Sequence, residues 1–394
     1  MNARAFAPVL AFSVAACQAL PPVATPSLSL GARALAGTER LVVGFADARS
    51  RQATLAEVPW PVLRALPELE AVVVAAPDAA RLRASLAGRP GIRYVEPDQP
   101  VNLPRAEVPA LALGAGDEQR AAQWALDRIG IDAAWAVTTG TASVRVAVVD
   151  TGIDARHPDL RGRVLKGRDV VNGDDDAMDD NFHGTHCAGI VAAGRGNGGI
   201  VGVAPGVSLL PVKVLDARGS GTLSQVAAGL VWAADQRPAV ISLSLGTEQP
   251  SQLLADAVRR AQTRGALVVA GTGNRGHDKP FYPAVLPGVV AVGATGKDDV
   301  RASFSNYGPH VALTAPGRDI LSTIPAGKWA RMSGTSMATP HVAGVAALLA
   351  SLQPTLDAAG LRERLEATAV DLGPPGRDAY YGVGRLDAAR ALRP

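Results

Sequence analysis

The chain has 394 residues, of which 47% are hydrophobic and 19% charged, and a formal net charge of +3. That length accommodates two folded units plus a leader. The near balance of 39 basic and 36 acidic residues, with no Lys/Arg run, argues against a nucleic-acid surface. With only Cys17 and Cys187, a disulfide scaffold and a Cys-rich zinc site are excluded.

Residues 1–17 read as an export signal: Arg4 supplies a short positive region, and Ala5 to Ala16 is apolar with small residues at its end. The stretch "VAAC" (Val14 to Cys17) also matches a bacterial lipobox. Two alternatives follow: a lipid on Cys17, or an ordinary signal peptide with a stray cysteine. Membrane attachment is expected only through that lipid, because no apolar run reaches the ~18–20 residues of a membrane span. The expected location is extracellular, or in the cell envelope of a bacterium. Residues 18–37, rich in Ala, Pro, Ser and Leu, form a linker.

Residues 38–103 carry two strand patterns, "RLVVGF" (Arg40 to Phe45) and "EAVVVAAP" (Glu70 to Pro77), and a third inside "GIRYVEPDQPVNL" (Gly91 to Leu103). Between them "WPVLRAL" and "DAARLRASLAG" space their apolar residues as helices do. This is a small α+β unit. Residues 104–121 are loose and charged at their end, as an exposed cleavage site would be.

From residue 122 to 394 the texture changes. Short, nearly continuous apolar runs ("VRVAVVD", "LLPVKVL", "AVISLSLG", "ALVVAG", "GVVAVGA") alternate with helical patterns ("LSQVAAGLVWAADQ", "QLLADAVRRAQTRG"). Such alternation predicts an α/β fold with a parallel sheet covered on both faces. Chemistry in such sheets sits at the carboxyl ends of the strands.

Three stretches can carry chemistry. Asp150 ends "VRVAVVD" and precedes "TGID"; alone, it is equally an Asx turn before Gly152. His183 opens "HGTHCAG". His183 and His186 are three apart, which raises a metal pair, but no third ligand stands at a known spacing. Ser336 lies in "SGTSMATPHVAG", just before a helix, where serine is commonly a cap. Its small neighbours would admit substrate, and the helix dipole favours developing negative charge. Pro340 is expected in the first turn, where it costs little. A serine hydroxyl needs an imidazole base, and the base needs a carboxylate to hold its tautomer. Asp, His and Ser occur here in one of the chain orders known for such triads.

"VAVVDTGID", "HGTHCAG" and "GTSMATPHVAG" together resemble the three catalytic blocks of the subtilisin-like serine proteases, the subtilases. The resemblance runs from about Gln123 to the last helix. It implies a seven-stranded parallel sheet flanked by helices and endopeptidase activity on extended protein or peptide substrates. Asp150 becomes the orienting acid, His183 the base and Ser336 both cap and nucleophile. Asn274, in "VVAGTGNRG", becomes the oxyanion donor where it would otherwise be a turn asparagine. Gly219, Ser220 and Gly221 resemble the edge that pairs with substrate. Ser242, Leu243, Ser244, Leu245 and Gly246 resemble the opposite wall. Phe281 falls where many relatives have a small residue, so a shallow pocket is expected. That pocket would take a medium apolar side chain, cleave poorly after Lys or Arg, and have Arg275 on its rim.

The resemblance makes the 38–103 unit an inhibitor-type propeptide with a ferredoxin-like fold, acting as folding template and inhibitor of its own chain. It is followed by the 104–121 activation linker and a monomeric 122–394 peptidase domain. Oxygen-rich loops raise structural calcium. Asp169, Asn172, Asp174 and Asp176 resemble one family site, with a solvated acidic loop as the alternative. Asp159 with Asn197 resembles a second, although Asn197 is displaced by one position. Cys187 reads as a small buried hydrophobe. His157, His277, His310 and His341 show no partner set. Two other functions stay open: a silent peptide-binding module on the same fold, and a lipid-anchored envelope processing enzyme.

Overall fold

The computed structural model describes residues 38–57, 60–103, 111–112 and 118–393. Residues 1–37, with the leader, the linker and Cys17, lie outside the described residues, as does most of 104–121.

The first unit runs β1 (Glu39–Phe45), α1 (Ala48–Glu57), β2 (Val62–Leu66), β3 (Ala71–Ala76), α2 (Ala79–Leu86) and β4 (Ile92–Pro97). Its antiparallel sheet has the order β2-β3-β1-β4, a βαββαβ arrangement with one strand more than the sequence pattern showed. "WPVLRAL" is a correction: Val62–Leu66 is a strand, not a helix. Five residues after Pro61 are too few to offset helix nucleation, and they gain an edge pairing on β3. The helix in that interval is Ala48–Glu57, whose polar sequence gave no apolar period.

Alternation in β1 and β3 puts the two faces of this sheet on different partners. Leu41, Val43, Phe45, Val72 and Val74 pack with Leu82 and Leu86 of α2. Val42, Ala71 and Val73 join the core formed by two later helices, Leu223–Asp235 and Gln252–Thr263.

The larger unit is built on a seven-stranded sheet. In spatial order its strands are Leu313–Pro316, Val290–Thr295, Leu267–Gly271, Val240–Leu243, Arg145–Asp150, Ser208–Lys213 and Arg168–Asp169. Every pairing is parallel. Helices Leu223–Asp235 and Gln252–Thr263 cover one face. Helices His183–Ala192 and Thr335–Leu352 cover the other and share a core with Val146, Val148, Val269 and Val292. After Arg145–Asp150 the chain fills the strands on one side, then crosses to Val240–Leu243 on the other. Asp150 therefore sits at the carboxyl end beside a topological switch point, where α/β sheets hold their ligands.

Candidate active site

The carboxyl end of Arg145–Asp150 meets the first turn of His183–Ala192 through glycine. A Cβ on Gly184 would lie 2.1 Å from the Gly152 carbonyl oxygen, so only glycine permits this backbone contact. Gly152 itself has a φ of 108°. Side chains then lock the junction. Gly184 N–H donates to Thr151 Oγ1, and Thr151 Oγ1–H donates to Asp179. Asp179 also accepts from Thr185 N–H and its hydroxyl. Burial pushes the Asp179 carboxyl up, against these bonds. Lys213, buried at the end of the next strand, donates to the Thr151 and Leu215 carbonyls and pairs with Asp180 at 2.5 Å.

This scaffold brings His183 Nδ1 to 2.8 and 3.0 Å from the two Asp150 oxygens. Asp150 Oδ1 also accepts Thr151 N–H. Both side chains are buried, and among the described residues His183 Nε2 has no partner. Burial alone would lower the His183 pKa. Burial is the largest single influence, but the Asp150 charge and hydrogen bond together with the Cys187 sulfur outweigh it and hold the imidazole well above its ordinary value. Cys187 Sγ is 3.9 Å from Nδ1, and burial raises the thiol so that it stays neutral.

Ser336 is the second residue of helix Thr335–Leu352, whose N-cap is Gly334. Its hydroxyl donates to the Ser244 carbonyl at 3.2 Å. It does not cap the helix, which corrects the dual reading from sequence. Pro340 stands in the second turn, not the first. It has no N–H to give the Ser336 carbonyl four residues back. That carbonyl instead accepts from Ser244 Oγ at 2.9 Å and from the Cys187 thiol at 3.5 Å. The substitute bonds anchor Ser336 to the wall of the cleft. Its own N–H is a first-turn amide without an intrahelical acceptor.

Asn274 lies past the end of Leu267–Gly271. Its Oδ1 accepts from Thr335 N–H at 2.9 Å and Thr335 Oγ1 at 2.8 Å. The amide nitrogen is thus the end turned away from Thr335, and Asn274 lines the open cleft.

The cleft is occupied by the chain itself. Strand β5 (Pro100–Asn102) pairs antiparallel with Ser220–Thr222, and Asn102 also bridges Gly246 on the opposite wall. Leu103 N–H donates to the Gly219 carbonyl. Gly219, Ser220, Gly221 and Gly246 are thus brought together around an extended segment. Val101 is buried, which contributes about 1.5–3 kcal/mol. Ser242 and Leu243 lie inside strand Val240–Leu243, and Leu245 packs in the core beneath the wall. Sequence reasoning missed two acidic residues beside this strand. Glu96 accepts from Ser251 Oγ and from the Gln252 and Leu253 N–H groups. Asp98 accepts from Ser224 N–H and Oγ while pairing with Arg40. Each caps a helix of the larger unit from the smaller one.

The two candidate calcium loops differ. Asp169 spends both oxygens on the Val171 and Asn172 N–H groups and the Asn172 side chain. Asp174 Oδ1 accepts Asp176 N–H, and both of these residues are exposed. These carboxylates do not converge; among the described residues only Asp150, His183 and Cys187 bring three such ligand atoms within 4.8 Å. The 169–176 loop does not fit a cation in this conformation. Asp159 does. It is fully buried, its Oδ1 has no partner, and Oδ2 accepts from Ile200 N–H and Trp329 Nε1. Loop 194–200 packs directly on it, and Asn197 is tied to the Pro158 carbonyl.

Most of the other histidines have partners that the sequence did not show; His310 Nε2 is buried with no partner among the described residues. His157 holds the Lys328 carbonyl and Asp159 N–H, and His341 the Met337 carbonyl. His277 meets Glu248. His186 meets the Ile320 and Ala330 carbonyls, and burial lowers it to about 3; it forms no metal pair with His183.

The profile described as the Subtilase family matches residues 141–384. The chain belongs to the subtilase family. It is 45% identical over 272 residues to thermitase of Thermoactinomyces vulgaris, covering 69% of this chain and 96% of thermitase. It is 48% identical over 262 residues to the thermophilic serine proteinase of Bacillus sp. (strain AK1), covering 66% of this chain but 64% of that proteinase's length. Among solved structures, fervidolysin from Fervidobacterium pennivorans, described as a keratinolytic enzyme related to subtilisin, matches with a TM-score of 0.79 and 31% identity. That match covers 90% of this chain and 61% of fervidolysin. This subtilase thus spans less than two thirds of two of these relatives, and its peptidase class follows from the family.

Proposed function

We propose that this subtilase is an exported serine endopeptidase made as a self-processing zymogen. Ser336 Oγ attacks the scissile carbonyl carbon while its proton passes to His183 Nε2. Asp150 holds the Nδ1–H tautomer and stabilises the imidazolium. The oxyanion receives the Asn274 amide and the Ser336 N–H. As the tetrahedral adduct collapses, the C–N bond breaks and His183 Nε2–H protonates the leaving amine. A water then attacks the acyl-enzyme with His183 again as base, returning the proton to Ser336. In the resting structure Ser336 Oγ is bonded to Ser244, so a rotation about χ1 precedes attack; such looseness is common before substrate binds.

The observation that carries this reading is the extended segment 100–102 lying between Ser220–Thr222 and Gly246. Asn102 opposes Gly246 in antiparallel register, so the residue two further along a substrate opposes Ser244, whose carbonyl holds Ser336 Oγ. That register supports a first self-cleavage beyond Leu103, within the 104–121 linker. Residues 111–112 pair with Trp329 and Ala330, which supports their staying with the mature enzyme. Glu96 and Asp98 support an inhibitory prosegment that remains docked until degraded.

Calcium, when bound at Asp159, supplies the counter-charge that this buried carboxylate lacks. Asp159 and the loop 194–200 with Asn197 would hold it. The leader supports export, and a lipid on Cys17 would anchor only the prosegment. A serine-reactive fluorophosphonate probe tests the central role: labelling of the wild type and none of Ser336→Ala is expected, and equal labelling of both contradicts it.

A further inference from the structure

The stretch "HGTH" holds a second histidine that the mechanism does not use. His186 lies on the same helix as His183 and is fully buried. Its Nε2 is 3.1 Å from the Ile320 carbonyl oxygen and 3.1 Å from that of Ala330. Carbonyls only accept, so Nε2 carries the hydrogen and shares it between them. Nδ1 is then a bare acceptor, buried without a partner among the described residues. Burial, with His183 and His341 near it, lowers the imidazole to about 3. His186 therefore stays neutral wherever His183 can act as base.

The two carbonyls belong to opposite strands of one hairpin, Ile320–Ile324 and Lys328–Met332. That hairpin lies directly on the helix that carries the base: a Cβ on Gly189 would meet Thr323 Oγ1 at 2.2 Å. Thr323 Oγ1 donates to the Thr185 carbonyl, and Ser322 Oγ to that of His186. Both of these bonds grip the first strand. His186 reaches past it to the second, which runs on through Ser333 and Gly334 to Ser336. Gly334 N–H on the Gly317 carbonyl and Asp319 N–H on Ser333 Oγ leave that run little slack. We infer that His186 is a positioning residue for the reaction: its Nε2–H sets the spacing between the helix that carries His183 and the strand that delivers Ser336. The inference rests on the peptidase reading and goes beyond it, since His186 touches neither substrate nor the reacting atoms. Without this donor, both carbonyls lose a buried partner, and buried acceptors move to regain one. The second strand would shift, and Ser336 with it.

The test compares His186→Gln, whose amide nitrogen keeps a donor at similar reach, with His186→Leu, which keeps bulk and removes the donor. Each matured enzyme is titrated to completion with a fluorophosphonate, so that only folded sites count, and assayed on succinyl-Ala-Ala-Pro-Leu-p-nitroanilide. His186→Leu should lose about 100-fold in kcat, the cost of a misplacement of about 1 Å, with little change in KM. His186→Gln should recover most of that loss. The acid limb of kcat/KM should move in neither variant, because His186 carries no charge there. A separate measurement needs no substitution at the site: nitrogen-15 NMR of the full chain carrying Ser336→Ala, which cannot digest itself. Its His186 should be protonated at Nε2 and bare at Nδ1, unchanged between about pH 5 and 8. Unchanged kcat in His186→Leu, equal losses in the two variants, a shifted acid limb, or a proton on Nδ1 each overturns the inference while leaving the peptidase reading intact. If neither variant folds, the NMR result decides. No fluorophosphonate labelling of the wild type overturns the peptidase reading as well.

Discussion

Gly184→Ala isolates the contact that aligns the base. The new methyl would lie 2.1 Å from the Gly152 oxygen and 3.1 Å from Thr151 Oγ1. Both belong to the turn that follows Asp150. Real methyl groups stay at least ~3.0 Å from such atoms, so the helix start must retreat by roughly 0.9 Å. Alanine is worth about 1 kcal/mol more than glycine within a helix, so propensity alone predicts a more stable protein. The steric effect decides activity, because His183 is the adjacent residue and its bond to Asp150 is 2.8 Å. Misplacement of a catalytic group by about 1 Å costs about 100-fold. Gly184→Ala should therefore keep its circular dichroism spectrum while kcat/KM on a fixed peptide falls by about 100-fold or more. Its rate of fluorophosphonate labelling should fall in step. A folded variant with wild-type kcat/KM would refute the argument that the Gly152–Gly184 contact sets the dyad.

Three further outcomes follow from the same geometry. His183 must be neutral to act as base, and Asp150 raises its pKa, so activity is lost as pH falls through a midpoint above 6.5. In a pH profile of kcat/KM, Asp150→Asn should move that acid limb downward while lowering the plateau; an unmoved limb contradicts the assignment. Asn274→Ala should reduce kcat by about 10²–10³ with little change in KM, and an equal loss in both Michaelis parameters for Ser244→Ala would point to the wall instead. Asp98→Ala removes a helix cap worth about 0.5–2 kcal/mol. The isolated prosegment carrying it should inhibit the matured enzyme several-fold more weakly, and unchanged inhibition rules that cap out.

The motifs around Asp150, His183 and Ser336 were legible because each carries its own structural requirement. "TGID" and "HGT" contain the glycines that their close approach demands, and the proposed acid Asp150 and base His183 both stand at element ends. Apolar runs revealed five strands of the main sheet. Arg168–Asp169 was not visible, since two polar residues carry no period, and Leu313–Pro316 is barely longer. The 38–103 unit misled at "WPVLRAL", where five residues satisfy a helical spacing by chance and tertiary pairing decides. Glu96 and Asp98 looked like surface acids because their partners, Ser251 and Ser224, are 155 and 126 residues away. The cap reading of Ser336 failed for a local reason: its hydroxyl is held by a wall that the chain places 92 residues earlier. The acidic run at 169–176 suggested a cation, but Asp169 spends both oxygens on the loop's own amides and Asp175 pairs with Lys166 and Arg168, whereas Asp159 Oδ1 has no partner among the described residues.

The most direct measurement refolds the full chain and Ser336→Ala side by side with calcium, then sequences the N-terminus of any new fragment. Wild type should cut itself and yield a fragment that begins between Leu103 and Ala122, while Ser336→Ala stays whole. A variant that processes as readily as the wild type in the pure preparation would contradict Ser336 as the nucleophile, and with it the self-processing account.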